Sequence, residues 1–314
     1  MNVIFMGSPA SVISPLKHLI SEGPKSNINL VAVVSQPAKP AGRKKKLEDP
    51  AIAKFAKENG ILCLQPEKAS AQDFLQQLTD LKVDIAITAA YGQILTDDFL
   101  ATPKRATINI HPSLLPKYRG AIPVPAALLA GDNVTGVTIL FTVKALDAGN
   151  IITQKSFEIE NNETAENLTN RMFDLSGPLL IDSLKKLEDA TFSGECQDES
   201  KVTHCKKITK EDGRIDWKGS AKEITNRWRA FYPWPGATCS FLGQDAKILS
   251  IWVKQENESF EGGYFYFDKK TKALVINCGS GQIYCDKLQL PGKKPVDAAS
   301  FWNGVKDKTS ARFE

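Results

Sequence analysis

The first part of the chain alternates short apolar runs with segments whose apolar residues recur at helical spacing. Apolar runs bounded by turn residues are typical of strands buried on both faces. The predicted strands lie at residues 3–6, 30–34, 61–64, 85–87 and 107–110. The predicted helices include one beginning near Val12, one at 51–59 and one at 71–81. Strands that alternate with helices favour an α/β fold with a mostly parallel sheet.

The pattern then changes along the chain. A strand pair is predicted at 136–141 and 151–155, followed by a long helix at 163–188 that Gly177-Pro178 should kink or split. The polar stretch 189–206 is interpreted as a linker. Short runs separated by Gly, Asp and Asn then follow at 237–242, 246–253, 264–267, 274–277 and 282–290, and they predict a small antiparallel barrel. The expected domains are therefore 1–188 and 207–314.

The composition is that of a soluble globular protein, with 314 residues, 42% of them hydrophobic and 24% charged. The apolar run at the amino terminus lacks a basic leader and is shorter than a signal-peptide core or a membrane span. We therefore expect a cytoplasmic protein without a membrane partner, and we expect a monomer. The six cysteines form no CxxC pair, so neither a disulfide framework nor a metal site is predicted.

The net charge of +4 is unevenly distributed. From Lys206 onward the chain carries 19 basic and 13 acidic residues, whereas the preceding part carries 21 basic and 23 acidic residues. A near-neutral front part joined to a basic back part is typical of a catalytic domain with an anion-binding appendage. On charge alone, an ordinary basic surface explains the same asymmetry equally well.

Two polar side chains stand at the end of the predicted strand 107–110. Asn109 and His111 are two residues apart, so in extended backbone their side chains leave the same face. Ligands of doubly wound sheets bind at the carboxyl ends of the strands. Of the three histidines, His18 lies on a predicted amphipathic helix and His204 in the predicted linker. His111 is thus the histidine at a ligand-binding position, although a purely structural histidine is common at strand ends.

Asp147 lies in a predicted turn, Leu-Asp-Ala-Gly-Asn at 146–150. Such an aspartate is usually an Asx-turn residue, but beside an Asn-x-His strand end it is also a candidate to orient or charge the imidazole. Together the three residues would support an acyl-type transfer. Asn109 would donate to the developing oxyanion, His111 would move protons, and Asp147 would hold His111 or a bridging water.

The segment Asn-Ile-His-Pro-Ser-Leu-Leu-Pro at 109–116 and Leu-Asp-Ala-Gly at 146–149 resemble the signature of the folate-dependent formyltransferases. The resemblance covers nearly the whole chain and narrows to the branch that formylates methionyl initiator tRNA. Its supporting stretches lie at 5–9, 36–46, 90–95, 117–123, 215–217, 229–235 and 290–295. Two positions depart from the pattern: Pro112 resembles a branch that formylates a purine-pathway nucleotide, and Asn150 replaces the usual aspartate.

The resemblance implies a Rossmann-like formyltransferase domain followed by an OB-like β-barrel, with 10-formyltetrahydrofolate as the formyl donor and no metal. Asn109, His111 and Asp147 match the catalytic trio of the family. The residues that match its folate-binding run and its pterin-pocket wall are Ser113, Leu114, Leu115, Pro116, Ala90, Tyr91, Gly92, Gln93, Ile94 and Leu95. The order of the proton transfers stays open.

Four consecutive cations follow the second predicted strand: Arg43, Lys44, Lys45 and Lys46. A run of like charges is usually a solvated surface loop. Flanking Gly and Pro also permit an extended arm whose cations would neutralise RNA phosphates, and Arg43 matches an arginine of the family's tRNA-reading loop. The lysines of the second domain expected to contact the tRNA backbone are Lys206, Lys207, Lys293 and Lys294.

Three other functions compete with formylation of tRNA. A formyltransferase acting on an amino sugar or a nucleotide would share the trio but would not need the basic arm. An RNA-binding protein with a decayed enzyme core would need only the barrel, and an intact trio argues against it. A dinucleotide oxidoreductase fits the sheet pattern, but Gly7-Ser8-Pro9 does not provide the Gly-x-Gly-x-x-Gly turn.

Overall fold

The computed structural model describes residues 1–41 and 46–314. Its contacts divide the chain into two compact units, which are described separately. The first unit comprises Met1–Pro123, Val134–Glu158 and Thr169–Cys205. The second unit comprises Val124–Asn133, Ile159–Leu168 and Lys206–Glu314. The domain boundaries predicted at residues 188 and 206 stay predictions.

The first unit contains eleven strands among its described residues. They are β1 (Asn2–Gly7), β2 (Asn29–Val34), β3 (Lys39–Ala41), β4 (Lys46–Glu48), β5 (Cys63–Leu64), β6 (Ile85–Ala89), β7 (Ala106–His111), β8 (Arg119–Gly120), β9 (Val134–Phe141), β10 (Ile151–Glu158) and β11 (His204–Cys205). The helices from the amino terminus onward are α1 (Ile13–Glu22), α2 (Ala51–Glu58), α3 (Gln72–Asp80), α4 (Asp97–Leu100), α5 (Pro123–Ala130) and α6 (Ala165–Lys186). Most of α5 and the first turn of α6 belong to the second unit.

Seven of these strands form one sheet in the order β10-β9-β7-β6-β1-β2-β5. The five strands from β7 to β5 pair in parallel, whereas β9 is antiparallel to both β7 and β10. The central strands are apolar because both faces are covered: Ile4, Met6, Ala86 and Ile87 are fully buried. The predicted α/β fold with a mostly parallel sheet is confirmed.

A kink or a split was predicted at Gly177-Pro178. The split does not occur, because helix α6 is continuous from Ala165 to Lys186. Leu180 and Leu184, which follow Pro178, are fully buried, and this burial stabilises the turn that lacks one hydrogen bond. Gly177 has a packing role, since a Cβ there would lie 2.8 Å from Cβ of His18 on α1. The glycine therefore permits the close approach of two helices.

The predicted linker carries structure of its own. Strand β11 pairs in parallel with β8, and a short 3-10 turn at Glu199–Lys201 precedes it. The backbone N–H of Arg119 donates to the carbonyl of Thr203 at 2.9 Å. Residues up to Cys205 consequently pack as part of the first unit.

The second unit is built on an antiparallel sheet with the order β12-β13-β16-β15-β14, with a sixth strand, β17, paired to β16. Its elements are α7 (Ala221–Phe231), β12 (Ala237–Phe241), β13 (Gln244–Ser259), β14 (Phe265–Asp268), β15 (Ala273–Asn277), β16 (Ser280–Gln289), β17 (Val296–Asp297) and α8 (Ala298–Asn303).

Several register shifts along the β13–β16 pair increase the local twist of this sheet. Helix α7 begins with a capping box between Ser220 and Glu223. The apolar side of the sheet encloses Ile248, Leu274 and Phe313. The antiparallel β domain predicted after the linker is confirmed. None of the helices in the described part of the chain is long and apolar enough to cross a membrane.

Candidate active site

Strand β7 brings Asn109 and His111 to its carboxyl end, as predicted from their spacing. Asn109 pairs with Thr88 on the parallel strand β6, and the single proton of the Thr88 hydroxyl is shared between Oδ1 of Asn109 at 2.9 Å and the carbonyl oxygen of Ile108 at 3.0 Å. This contact orients the amide so that Nδ2 points towards Asp147, 3.4 Å from Oδ1 of that carboxylate. Thr88 was missed in the sequence, although it directly follows the predicted strand 85–87.

His111 is buried, with 3% of its surface exposed. Its Nε2 lies 3.0 Å from the carbonyl oxygen of Tyr118, which accepts but cannot donate, so the proton of the neutral ring sits on Nε2. Burial lowers the pKa of His111, while the Asp147 carboxylate and the Tyr118 carbonyl oppose that shift. The neutral ring keeps its lone pair on Nδ1, 3.6 Å from Oδ2 of Asp147. His111 is therefore a proton acceptor whose cationic form Asp147 stabilises.

Asp147 reaches the trio from a loop with unusual backbone geometry. Its φ is 51°, in the left-handed region that non-glycine residues rarely adopt. Two residues on, Gly149 approaches Phe141 so closely that a Cβ would lie 1.9 Å from the Phe141 carbonyl oxygen. The carboxylate accepts a hydrogen bond from the N–H of Gly120 at 2.9 Å. This acceptor role across 27 residues distinguishes Asp147 from a local Asx-turn residue.

The segment predicted as a linker, 189–206, supplies further contacts to this loop. Nε2 of Gln197 donates to the carbonyl oxygens of Asp147 and Gly149, both at 2.8 Å. Asn150, the second departure from the family pattern, donates its amide to the carbonyl of Ser193 at 2.9 Å, which an aspartate is unable to do. Neither contact was predicted, since a polar segment without periodicity gives no signal of its partners.

The predicted folate-binding run, Ser113 to Pro116, mainly bonds to the protein itself. The Ser113 hydroxyl donates to the carbonyl of Lys117 at 2.8 Å, and the N–H of Leu115 donates to the Thr138 hydroxyl. The side chains of Ser113 and Leu115 are buried, whereas Leu114 and Pro116 are partly exposed. This run follows His111 directly in the chain and does not offer free side-chain donors.

The predicted pterin-pocket wall, 90–95, contains a second left-handed residue, Ala90, with φ 46°. The carbonyl of Tyr91 accepts from Gln36 and Ser8, so it is already engaged. The Tyr91 hydroxyl is buried without a partner among the described residues, and burial raises its pKa to about 12. Ile94 is 90% exposed, an unusual state for an aliphatic side chain.

Two of the cavities among the described residues lie in the first unit. One of about 530 Å³ is lined by Gln36, Gly92, Gln93 and Ile94, and the other, of about 610 Å³, by Pro116, Gln154, Lys186 and Gln197. Asn109, His111 and Asp147 line neither of these two cavities. Over 1–41 and 46–314, no three His, Cys, Asp or Glu side chains are grouped so that they could hold a metal ion.

The predicted tRNA contacts lie in separate parts of the chain. Arg43, Lys44 and Lys45 fall outside the described residues. Lys46 is exposed at the start of β4, which pairs with β3 in an antiparallel hairpin that the sequence did not predict. The four lysines predicted in the second unit are all exposed: Lys206, Lys207, Lys293 and Lys294.

Comparison with known protein families identifies the class of protein to which this chain belongs. A model of the formyl transferase family matches residues 1–184, and a model of the formyl transferase C-terminal domain matches residues 207–306. The chain therefore belongs to the formyl transferase family. The resemblance inferred from 109–116 and 146–149 is confirmed.

Individual relatives are consistent with this class. Methionyl-tRNA formyltransferase of Staphylococcus aureus (strain MW2) is 35% identical over 305 residues, which cover 97% of this chain and 96% of that protein. The structure of HypX from Aquifex aeolicus in complex with tetrahydrofolic acid matches with a TM-score of 0.64 and 17% identity, over 95% of this chain and 46% of HypX. An N-formyltransferase from Helicobacter canadensis in complex with folinic acid and dTDP-3-aminofucose gives a TM-score of 0.64 and 18% identity, over 90% of this chain and 98% of that one. The two structural matches show a shared fold.

Proposed function

We propose that this chain transfers a formyl group from 10-formyltetrahydrofolate to the α-amino group of methionyl initiator tRNA. The observation that carries the proposal is the convergence of Asn109, His111 and Asp147 at the carboxyl end of β7, in a member of the formyl transferase family. The 35% identity to methionyl-tRNA formyltransferase along nearly the whole chain supports tRNA as the acceptor.

The three side chains can stabilise the negative charge that develops on the formyl oxygen and can accept the proton that the amine loses. The amine nitrogen attacks the formyl carbon, and Nδ2 of Asn109 donates to the oxygen that becomes negative. Nδ1 of His111 takes the proton that the amine loses, and Asp147 stabilises the resulting imidazolium. The bond between the formyl carbon and N10 of the folate then breaks, and the imidazolium returns the proton to N10. The products are formylmethionyl-tRNA and tetrahydrofolate.

The geometry of His111 supports this order of proton transfers. The pKa of His111 is lowered by burial, so the ring is neutral at the start and acts first as a base. Its other nitrogen, Nε2, is engaged by the Tyr118 carbonyl. A single nitrogen thus accepts and returns the proton, and Asn109 is assigned as the donor to the oxyanion.

Two neighbouring loops offer an apolar surface to the flat rings of a folate. The Lys144–Asp97 ion pair, at 2.7 Å, connects the loop that carries Asp147 with the start of α4. Ile94, three residues before the start of α4, is 90% exposed, and Val143 and Leu146 are 44% and 66% exposed. Exposed apolar side chains mark a ligand surface when they form one contiguous patch. We assign this surface to the pterin and aminobenzoyl rings, with backbone groups of 90–95 at their polar edges.

The basic arm is assigned to the acceptor end of the tRNA. Lys46 projects from the β3–β4 hairpin into solvent, and Arg43, Lys44 and Lys45 continue the same cationic run. Cations of this kind neutralise phosphates, and their contribution falls as salt rises. The exposed lysines of the second unit, at 206–207 and 293–294, would bind further along the tRNA backbone.

The deciding experiment compares acceptors directly. Purified enzyme is assayed with 10-formyltetrahydrofolate and, separately, methionylated initiator tRNA, methionylated elongator tRNA and a nucleotide-linked amino sugar. We expect formylation of the initiator tRNA. Formylation of the sugar alone would overturn the acceptor assignment, and RNA binding without turnover would favour a decayed enzyme.

The proposed role of the basic arm in tRNA binding is tested by Arg43→Ala. Lys25→Ala is the matched control, because Lys25 is an exposed surface lysine whose described ion pair is with the nearby Glu22. We expect Arg43→Ala to raise the KM for tRNA and to flatten its salt dependence, while the KM for folate stays unchanged. A change in folate KM alone would contradict the assignment.

We also propose that the enzyme is a monomer that works in the cytoplasm. The basis is the composition of the chain and its proposed role in translation initiation. Light scattering of the purified protein would give one chain mass of 34.5 kDa if it is monomeric.

A further inference from the structure

The position of Asp147 depends on residues that lie far from it in sequence. Its loop joins β9 to β10, and φ at Asp147 is positive, a conformation that costs about 1 kcal/mol or more unless the surroundings enforce it. No strand ladder holds this residue. Contacts from elsewhere in the first unit must therefore keep the carboxylate beside His111.

Gln197 provides the contacts on the backbone side. Both hydrogens of its side-chain amide are used, one towards the carbonyl of Asp147 and one towards the carbonyl of Gly149, each at 2.8 Å. These two carbonyls lie on either side of Ala148, so a single side chain binds the loop backbone at two points. A side chain without two donors is unable to make this pair of bonds.

Arg119 fixes the orientation of Gln197. Its Nε and Nη2 donate to Oε1 of Gln197 at 3.1 Å and 2.9 Å, which leaves the amide nitrogen directed at the loop. Arg119 is 5% exposed and also pairs with Glu199 at 2.7 Å. The next residue, Gly120, donates its N–H to the Asp147 carboxylate. One segment therefore supports both the backbone and the carboxylate of Asp147.

We propose that Gln197, oriented by Arg119, is a positioning residue that holds the Asp147 loop so that the carboxylate keeps its place beside His111 and Asn109 during formyl transfer. The kinetic part of this inference rests on the proposed function, because it concerns the same reaction. Gln197 touches no reacting atom. It acts on the reaction only through Asp147.

Two substitutions of Gln197 separate positioning from folding. Gln197→Leu removes both hydrogen bonds. Gln197→Glu is nearly isosteric and keeps the acceptor for Arg119, but it turns an oxygen towards the two carbonyls, so it tests the proposal even if the leucine variant does not fold. Asn150→Ala is the matched control. The Asn150 amide also donates to a residue of the segment 189–206, the carbonyl of Ser193, but this bond does not involve Asp147.

The first readout is kinetic. We expect kcat to fall by about ten- to a hundredfold in both Gln197 variants, because small misplacements of a catalytic group cost that much, while the KM for methionyl-tRNA changes little. Asn150→Ala should keep kcat near the wild-type value. Loss of activity that only follows loss of folded protein would overturn the positioning role.

The second readout does not require the substrate to be known. The chain has three histidines, so the NMR signal of His111 is assigned by its absence in His111→Gln. Because Asp147 raises the pKa of His111, a displaced carboxylate should make His111 titrate at a lower pH in the Gln197 variants. An unchanged His111 titration would overturn the proposal. Failure of the wild-type enzyme to formylate tRNA would instead overturn the proposed function and leave this test valid.

Discussion

The strand and the loop that supply the trio hold their side chains by different means. Asn109 and His111 lie on β7, where hydrogen bonds to β6 on one side and β9 on the other hold the backbone. Asp147 lies in a loop with positive φ, held by a few long-range hydrogen bonds and by the contact of Gly149 with Phe141. A sheet distributes its support over many bonds, whereas the loop depends on each one. Changes around the loop should therefore cost more than equivalent changes around the strand.

The largest loss of kcat is expected when His111 of the strand or Asp147 of the loop is replaced. His111→Ala and Asp147→Ala should each lower kcat by about a hundredfold or more, the usual contribution of acid–base groups. Formylation of methionyl-tRNA is measured, with circular dichroism to verify folding. His204→Ala, with an exposed side chain, is the control and should retain full activity. Near-normal turnover in either trio variant would remove that residue from the mechanism.

Gly149→Ala tests the loop alone. The added Cβ would lie 1.9 Å from the Phe141 carbonyl oxygen, so the backbone must move and carry Asp147 with it. We expect kcat to fall at least about tenfold and the protein to lose about 1–3 kcal/mol of stability, as in overpacked sites. Thermal unfolding and kcat are compared with those of Gly304→Ala, whose Cβ would meet nothing closer than 3.4 Å. Equal kcat and equal thermal stability in the two variants would show that the loop accommodates the added Cβ without displacing Asp147.

Thr88→Val tests the strand region. It removes the hydroxyl that orients the Asn109 amide, and we expect kcat to fall only by about threefold to tenfold because β7 still places the side chain. Thr88→Ser should restore activity. The matched control is Thr107→Val, since the Thr107 hydroxyl is buried with no hydrogen-bond partner in the described part of the chain. A loss larger than that of Gly149→Ala would reverse the proposed difference between strand and loop.

The smallest expected effect is a shift of the acid limb of kcat/KM relative to the ordinary histidine pKa. The pKa of His111 lies below its ordinary value of 6.5 because burial disfavours the cation. The base is therefore lost only when the pH falls through this lowered pKa, so the acid limb of kcat/KM should have its midpoint below pH 6.5. Activity is measured across the acid range in buffers of constant ionic strength. An acid limb at or above 6.5 would mean that the Asp147 contribution outweighs burial.

Regular elements were predicted well from periodicity. The helix expected at 51–59 is observed as Ala51–Glu58, and the strand expected at 107–110 as Ala106–His111. The β3–β4 hairpin and the β8–β11 pair were missed, because strands of two or three residues are too short to show a period. The long helix predicted at 163–188 was found unbroken, since burial of its apolar residues outweighs the defect at Pro178.

The sequence by itself determined the class of the protein and the pair Asn109 and His111, because spacing along one strand is a local property. Asp147 followed from the family motif. Only the tertiary structure decided that Thr88 orients the amide, that Gln197 and Gly120 support Asp147, and that His111 is neutral. The physical reason is that these features arise from contacts between residues 21 to 50 positions apart and from exclusion of water, neither of which a local pattern records.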